Sequence, residues 1–191
     1  MTEQNTPDSF AQEEELKRER NKKRFRRTIL STVFMLISAV AAALLVANFW
    51  LPVFEIYGKS MNPTLWEGDV VVSVKDSTIE QGDIIAFYHG NKLVIKRCIA
   101  VEGDVVNINS DGTIEVNDVP LEEPYITEHH DGGFDVEMPY QVPAARYFVL
   151  GDNRELSVDS RHTAMGCISD DQLVGRVVLR VWPIDRFGWV P

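Results

Sequence analysis

The sequence predicts a mainly β protein, a coiled and partly closed set of antiparallel sheets behind a single N-terminal transmembrane helix. Three observations predict it. A stretch without any charged side chain runs from Thr28 to Phe54. Seven short segments after it are rich in apolar and β-branched residues and are separated by turn residues. No segment beyond residue 55 carries the 3.6-residue period of a long amphipathic helix.

The elements follow in chain order. Residues 1–27 hold eight basic and six acidic side chains, and all eight bases fall within 17–27. The first dozen residues offer little to bury and are expected to be disordered. Residues 13–27 read as a frayed helix, and 1–27 as a charged cytoplasmic tail. Residues 28–51 are apolar all round until Pro52 stops the helix. Such a helix is ~36 Å long, enough to cross a ~30 Å hydrocarbon layer with tilt. Trp50 stands at the far end, where an interfacial aromatic belongs. The basic cluster before the span sets the N-terminus in the cytoplasm and the rest of the chain outside. A cleaved signal has the same order of segments, and Ala41 and Ala43 form an A-x-A pattern, but the apolar run exceeds the ~7–15 residues usual there. A buried core helix is the other alternative.

Residues 52–191 form one extracytoplasmic domain of ordinary size. Its strands are read at 69–75, 83–88, 92–101, 104–109, 113–117, 147–150 and 173–182. Ser110-Asp111-Gly112 marks a hairpin. Residues 169–174 suit one short turn, and the Pro-rich stretch 120–145 reads as a surface excursion.

The whole chain has 19 bases and 29 acids, a net charge of −10. Because residues 1–27 carry +2, the remainder carries −12. That balance argues against a nucleic-acid partner, and the composition excludes collagen-like, disulfide-dense and wholly disordered chains. Cys98 and Cys167 allow either one disulfide or two small buried hydrophobes. His89, His129, His130 and His162 lack metal-ligand spacing, so neither a metal nor another cofactor is expected.

Three segments look unlike scaffold. Ser60 lies between Gly58 and Pro63 in a sequence suited to a sharp turn. Lys96 lies inside an apolar strand, on the face of Val94 and Cys98. Turned inward, its amine would lose water, its pKa would fall, and it could serve a serine as general base. Turned outward, it is an ordinary surface lysine. Residues 151–161 are dense in hydrogen-bonding side chains and read as a pinned polar loop or as a capped turn. Asp159 and Arg161 there suit a structural ion pair.

Taken together these segments resemble the bacterial type I signal peptidases. Ser60-Met61-x-Pro63-Thr64-Leu65 is similar to that family's nucleophile motif. Gly68-Asp69, Gly82-Asp83, Lys96-Arg97 and Gly103-Asp104 follow in its order. Gly151-Asp152-Asn153-Arg154-x-x-Ser157-x-Asp159-Ser160-Arg161 is similar to its late motif, and Gly175-Arg176 and Trp182-Pro183-x-x-Arg186-Phe187-Gly188 to its closing segments. The likeness covers about residues 28–188.

The resemblance implies a membrane-bound serine endopeptidase that removes signal peptides from secretory preproteins after small-x-small sites. It implies Ser60 as nucleophile and Lys96 as general base, with Ser157 orienting Lys96. Asp152 and the Asp159–Arg161 pair would hold the loop, and the Ser60 N–H would stabilise the oxyanion. Gly58 stands where some members carry a serine that adds a second donor. Met61, Leu65, Val94 and Ile95 would border the pocket for the residue before the cut, and Phe54, Ile56 and Ile95 the pocket two residues earlier. A lysine with an ordinary pKa is roughly 0.04% neutral at pH 7, and lowering it by about two units costs ~2.7 kcal/mol. Two rivals remain at this stage: a Ser-His-Asp hydrolase using His162 beside Asp159, and an anchored β-domain that binds peptides without cutting them.

Overall fold

The computed structural model describes the backbone of residues 7–75, 78–126 and 128–191, and the side chains over that range except 7–15 and 46–50. The chain divides into two units between Ala47 and Asn48. The first is built on one continuous helix, α1, Pro7–Trp50. Pro7 opens it, at the position where a missing N–H costs nothing. The expected disorder of the first dozen residues is therefore wrong for 7–12, while residues 1–6 lie outside the described ones. The reason lies in composition. Residues 13–27 are mostly strong helix formers with acid-to-base spacings such as Glu13 to Lys17 and Glu14 to Arg18. A helix nucleated by the apolar stretch extends back through them at little cost.

Within α1, Leu16–Leu45 is long and apolar enough to cross a membrane. Phe34, Met35, Leu36, Ile37 and Leu45 are all exposed. The apolar window of its described residues is 0% buried, unlike a core helix. The Trp50 side chain, read as an interfacial aromatic, lies outside the described residues.

The second unit is antiparallel β. Its strands are β1 Val53–Glu55, β2 Val70–Val74, β3 Ile84–His89, β4 Lys92–Ala100, β5 Val105–Ile108, β6 Ile114–Val116, β7 Val119–Pro120, β8 Tyr140–Gln141, β9 Arg146–Leu150, β10 Ile168–Ser169, β11 Leu173–Trp182 and β12 Gly188–Trp189. All seven strands read from the sequence are present within a residue or two. The larger sheet runs β1-β2-β11-β3-β4-β9-β10, with β12 on β11, and the smaller runs β7-β6-β5-β8. Residues 110–112 turn the β5–β6 hairpin, with the Gly112 N–H on Asn109 C=O at 2.9 Å. Beyond α1, the only helical segments among the described residues are single 3-10 turns, at Asp170–Gln172 and Ile184–Arg186.

Strand β4 belongs to all three apolar cores. Leu93 and Ile95 pack with Ile56, Met61, Leu65 and Ile84. Cys98 packs with Ile85, Phe87 and Val149. Ile99 and Ala100 pack with Val106, Ile114 and Phe148. Every residue from Lys96 to Ala100 is buried, so both strand faces are internal over that length. Cys98 and Cys167 are both free and buried, which decides between the two readings in favour of small hydrophobes.

The stretch 120–145 is not merely a surface excursion. Val142 and Glu123 are buried, and the Glu123 carboxylate pairs with the Arg154 guanidinium and accepts the Tyr125 hydroxyl at 2.7 Å. Irregular backbone hid this, because an isolated buried carboxylate has no periodicity to betray it. Glu123→Ala leaves Arg154 charged, buried and unpaired, and we expect a loss of about 3–5 kcal/mol. Glu122→Ala, at an exposed neighbour, should cost less than about 0.5 kcal/mol. Urea unfolding of the two variants side by side checks the contrast.

Candidate active site

Ser60 lies in the loop joining β1 to β2. The loop is wound tightly, with Asn62 N–H on Lys59 C=O at 3.2 Å and Leu65 N–H on Met61 C=O at 2.9 Å. Buried Asp69 fastens its far end, accepting Trp66 N–H at 3.0 Å and pairing with Arg180 at 3.2 Å and Arg186 at 2.9 Å. Gly58 has φ +84°. That conformation strains any residue with a Cβ, so a serine there would be held at a cost.

A groove of about 620 Å³ runs beside this loop. Phe54, Ile56, Met61, Val94 and Ile95 line it, together with Gly58 and Ser60. Five of the six pocket residues proposed from the sequence are thus in its wall. Leu65 is not; it is fully buried and packs in the same cluster as Met61. Two strand edges border the groove. Among the described residues β1 ends its sheet, pairing only with β2, and β9 pairs with β4 only from Arg97 onward, leaving one edge of residues 92–95 without a strand.

Lys96 pairs across β3 with Ile85 and is 3% exposed. Loss of water lowers its amine pKa from 10.5 to about 8. Asp159 and Asp152 oppose the fall and Arg161 assists it, but burial dominates. Arg97 faces Leu150 on β9, so the register carries Lys96 towards Gly151. A Cβ on Gly151 would meet Ser157 Oγ at 2.3 Å and Ser60 C=O at 2.5 Å. Glycine there lets the Ser60 loop, the 151–161 loop and β4 close on one point. The Asn153 N–H also donates to Ser60 C=O at 3.0 Å. Lys96 Nζ makes no hydrogen bond to either serine hydroxyl among the described residues, and Ser157 Oγ is buried without a partner.

Three buried arginine–carboxylate pairs surround this point. Arg97 grips Asp152 through two bonds of 2.9 and 2.8 Å, and Asp152 also accepts the Thr64 hydroxyl. The Arg97 guanidinium lies 3.8 Å from the centre of the Tyr125 ring. Arg161 grips Asp159 at 2.8 and 2.9 Å and donates to Arg154 C=O at 2.8 Å. Arg154 pairs with Glu123. Asp159 also accepts the Gly151 N–H at 3.1 Å, so its carboxylate is fully engaged. His162 bonds Asp159 only through the backbone, N–H to C=O at 2.9 Å; among the described residues its ring makes no bond to that carboxylate, and His162 Nδ1 is buried without a partner. A Ser-His-Asp arrangement on these residues is not formed.

Sequence reasoning assigned no role to Arg97, Thr64, Arg154, Glu123 or Tyr125. Arg97 carried a signal, since it follows Lys96 in a strand too apolar to leave either charge in water. Glu123 and Tyr125 carried none, because the arginines they meet, Arg154 and Arg97, lie far away in the chain.

A family model described as signal peptidase, peptidase S26, matches residues 29–182. Signal peptidase IB of Staphylococcus aureus (strain COL) is 36% identical over 184 residues, covering 85% of this chain and 94% of its own. Signal peptidase I of Streptococcus pneumoniae serotype 4 is 28% identical over 179 residues, covering 73% of this chain and 86% of its own. A crystal structure of a signal peptidase I from Enterococcus faecalis V583 aligns over 52% of this chain and 97% of its own, at 29% identity and a TM-score of 0.43.

The lowered Lys96 pKa is also a statement about stability. Between the folded value of about 8 and the ordinary 10.5 the unfolded chain binds more protons, so stability rises with pH through that window. Below it the fold bears the full cost of a buried ammonium. Lys96→Met should therefore be more stable than wild type by about 3 kcal/mol at pH 7, with the gap closing towards pH 10. Denaturant unfolding at both pH values checks this; a gap that does not change with pH would mean that the amine is not desolvated.

Proposed function

The chain belongs to the signal peptidase family, peptidase S26, and on that premise we propose that it is a membrane-anchored endopeptidase with a Ser60–Lys96 dyad. It removes signal peptides from exported preproteins after small-x-small sites such as A-x-A. The observation that carries the reading is the burial of Lys96 on β4, next in register to Gly151, where the Ser60 loop and the 151–161 loop close together; loss of water there lowers its amine pKa to about 8. At that value about a tenth of the amine is neutral at pH 7, some hundreds of times more than for an ordinary lysine.

Neutral Lys96 takes the Ser60 hydroxyl proton as Oγ bonds to the scissile carbonyl carbon. The Ser60 N–H faces the developing oxyanion. Lys96 returns the proton to the departing amine, and an acyl-enzyme remains. Lys96 then deprotonates a water that attacks the acyl carbon; the bond to Ser60 Oγ breaks, Lys96 gives Oγ back its proton, and the signal peptide leaves as its carboxylate. Ser157 Oγ, buried and unpartnered, is the group that orients the amine in this cycle. Asp152 and the Asp159–Arg161 pair keep the loop in place. Such contacts tighten when substrate is bound.

The free edges of β1 and of residues 92–95 suit an extended peptide, paired by strand addition. Apolar walls at Phe54, Ile56, Met61, Val94 and Ile95 accept alanine and exclude bulk by overpacking. The apolar helix serves as a single-pass anchor, with the basic cluster 17–27 on the cytoplasmic side and the β unit outside. Nine residues lie between Trp50 and Ser60, a reach of at most ~35 Å. The nucleophile therefore stays near the outer leaflet, where a substrate's own apolar segment ends.

Cleavage of a preprotein bearing an A-x-A site should fall about 10³-fold or more in Ser60→Ala and in Lys96→Ala, and survive in His162→Ala. In wild type, kcat/KM should climb with pH to a plateau governed by a group near the Lys96 value of about 8. Full activity in Lys96→Ala would defeat the dyad.

A further inference from the structure

A second depression lies beyond the nucleophile loop. Its volume is about 230 Å³, and its walls include Asn62, Trp66, Glu128, Asn153 and Glu155. Ser60 and Met61 line the apolar groove, whereas the next two residues, Asn62 and Pro63, line this cleft. The loop that bears the nucleophile is thus the wall between the two. The Asn153 N–H that holds Ser60 C=O belongs to a cleft residue as well. A peptide whose scissile carbonyl lies at Ser60 and whose upstream side fills the groove has its downstream residues carried over this wall.

The charges in the cleft do not cancel. Asp152 and Arg154 line it, but each is neutralised from within, Asp152 by Arg97 and Arg154 by Glu123. His130 accepts the Gly132 N–H on Nδ1 at 2.9 Å and lies 3.7 Å from the carboxylate of its neighbour Asp131. Glu128 and Glu155 are exposed, and neither forms an ion pair among the described residues. Two negative charges are therefore uncompensated, in a domain whose overall charge is already strongly negative. Trp66 adds an aromatic wall. It is 47% exposed, and its Nε1–H is fastened to Pro63 C=O at 2.8 Å. An indole beside two carboxylates suits a cationic side chain.

We propose that this cleft receives the first residues after the scissile bond and favours lysine or arginine there over aspartate or glutamate. The inference rests on the function proposed above. It names a specificity at the start of the mature segment, separate from the small-residue preference of the groove.

The test uses the full chain in detergent with peptides identical up to an A-x-A site. Lysine, glutamine or glutamate is placed in turn at each of the first three positions after it. At one or more of these positions the lysine peptide should exceed the glutamate peptide about five-fold in kcat/KM at low ionic strength. That ratio should shrink in 0.5 M NaCl, as expected for exposed charges. In Glu128→Gln/Glu155→Gln it should fall to within about two-fold. Each ratio compares peptides on one enzyme preparation, so partial misfolding of a variant cancels. A ratio near one at all three positions, or one that the double variant leaves intact, overturns the cleft assignment. If wild type cuts none of the peptides, or Ser60→Ala cuts them equally well, the proposed function itself fails and this inference goes with it. Ser60-dependent cleavage without charge preference removes the cleft alone.

Discussion

Lys96 carries an amine into a region without water, and the arrangement of every charge near it follows from that. A buried ammonium is costly, and any further unpaired charge at close range would raise or lower its pKa by units. The three buried arginines are each closed onto a carboxylate: Arg97 on Asp152, Arg154 on Glu123 and Arg161 on Asp159. Because Asp159 and Arg161 act on the amine with opposite signs, their pairing leaves burial as the ruling influence. The pairs thus do two things at once. They satisfy guanidinium groups that a β fold of this size could not otherwise hide, and they keep the electrostatics around Lys96 close to neutral.

The same pairs tie together segments that are far apart in the chain. Asp152 joins β4, through Arg97, to the nucleophile loop, through Thr64. Arg161 bridges Asp159 to backbone carbonyls at Arg154 and Asp131. Gly151 is the point of closest approach, and only a residue without a side chain fits between Ser157 and Ser60. Replacing any one partner would strand a charge in the interior, which costs more than a lost surface contact. Stability and site geometry therefore rest on the same atoms.

The groove and the polar cleft divide the surface around Ser60 by chemistry. On one side apolar walls and two free strand edges suit an extended chain of small residues. On the other stand Glu128 and Glu155, exposed and without an ion pair among the described residues, and the Trp66 indole. A peptide that changes character at its cleavage point would meet both. The 14-residue interval 56–69 that holds Ser60 makes this boundary, and buried Asp69 secures its end against Arg180 and Arg186.

Local patterning in the sequence was enough for seven of the twelve strands, though not for the short β1, β7, β8, β10 and β12, and for the β5–β6 hairpin, the apolar span and the order of the Ser60, Lys96 and 151–161 segments. Each depends on neighbours a few residues away, and periodicity reports those neighbours directly. Periodicity could not say that both faces of β4 are internal. That depends on three cores meeting at one strand, and it puts Lys96 and Arg97 inside together although they point to opposite sides. Nor could it find Glu123, whose partner Arg154 is 31 residues distant, or decide the state of Cys98 and Cys167. Helix propensity in 13–27 overruled the expectation of disorder just upstream. What only tertiary structure decided is which charges are paired out of water, because pairing is a property of distance in space and leaves no spacing in the chain.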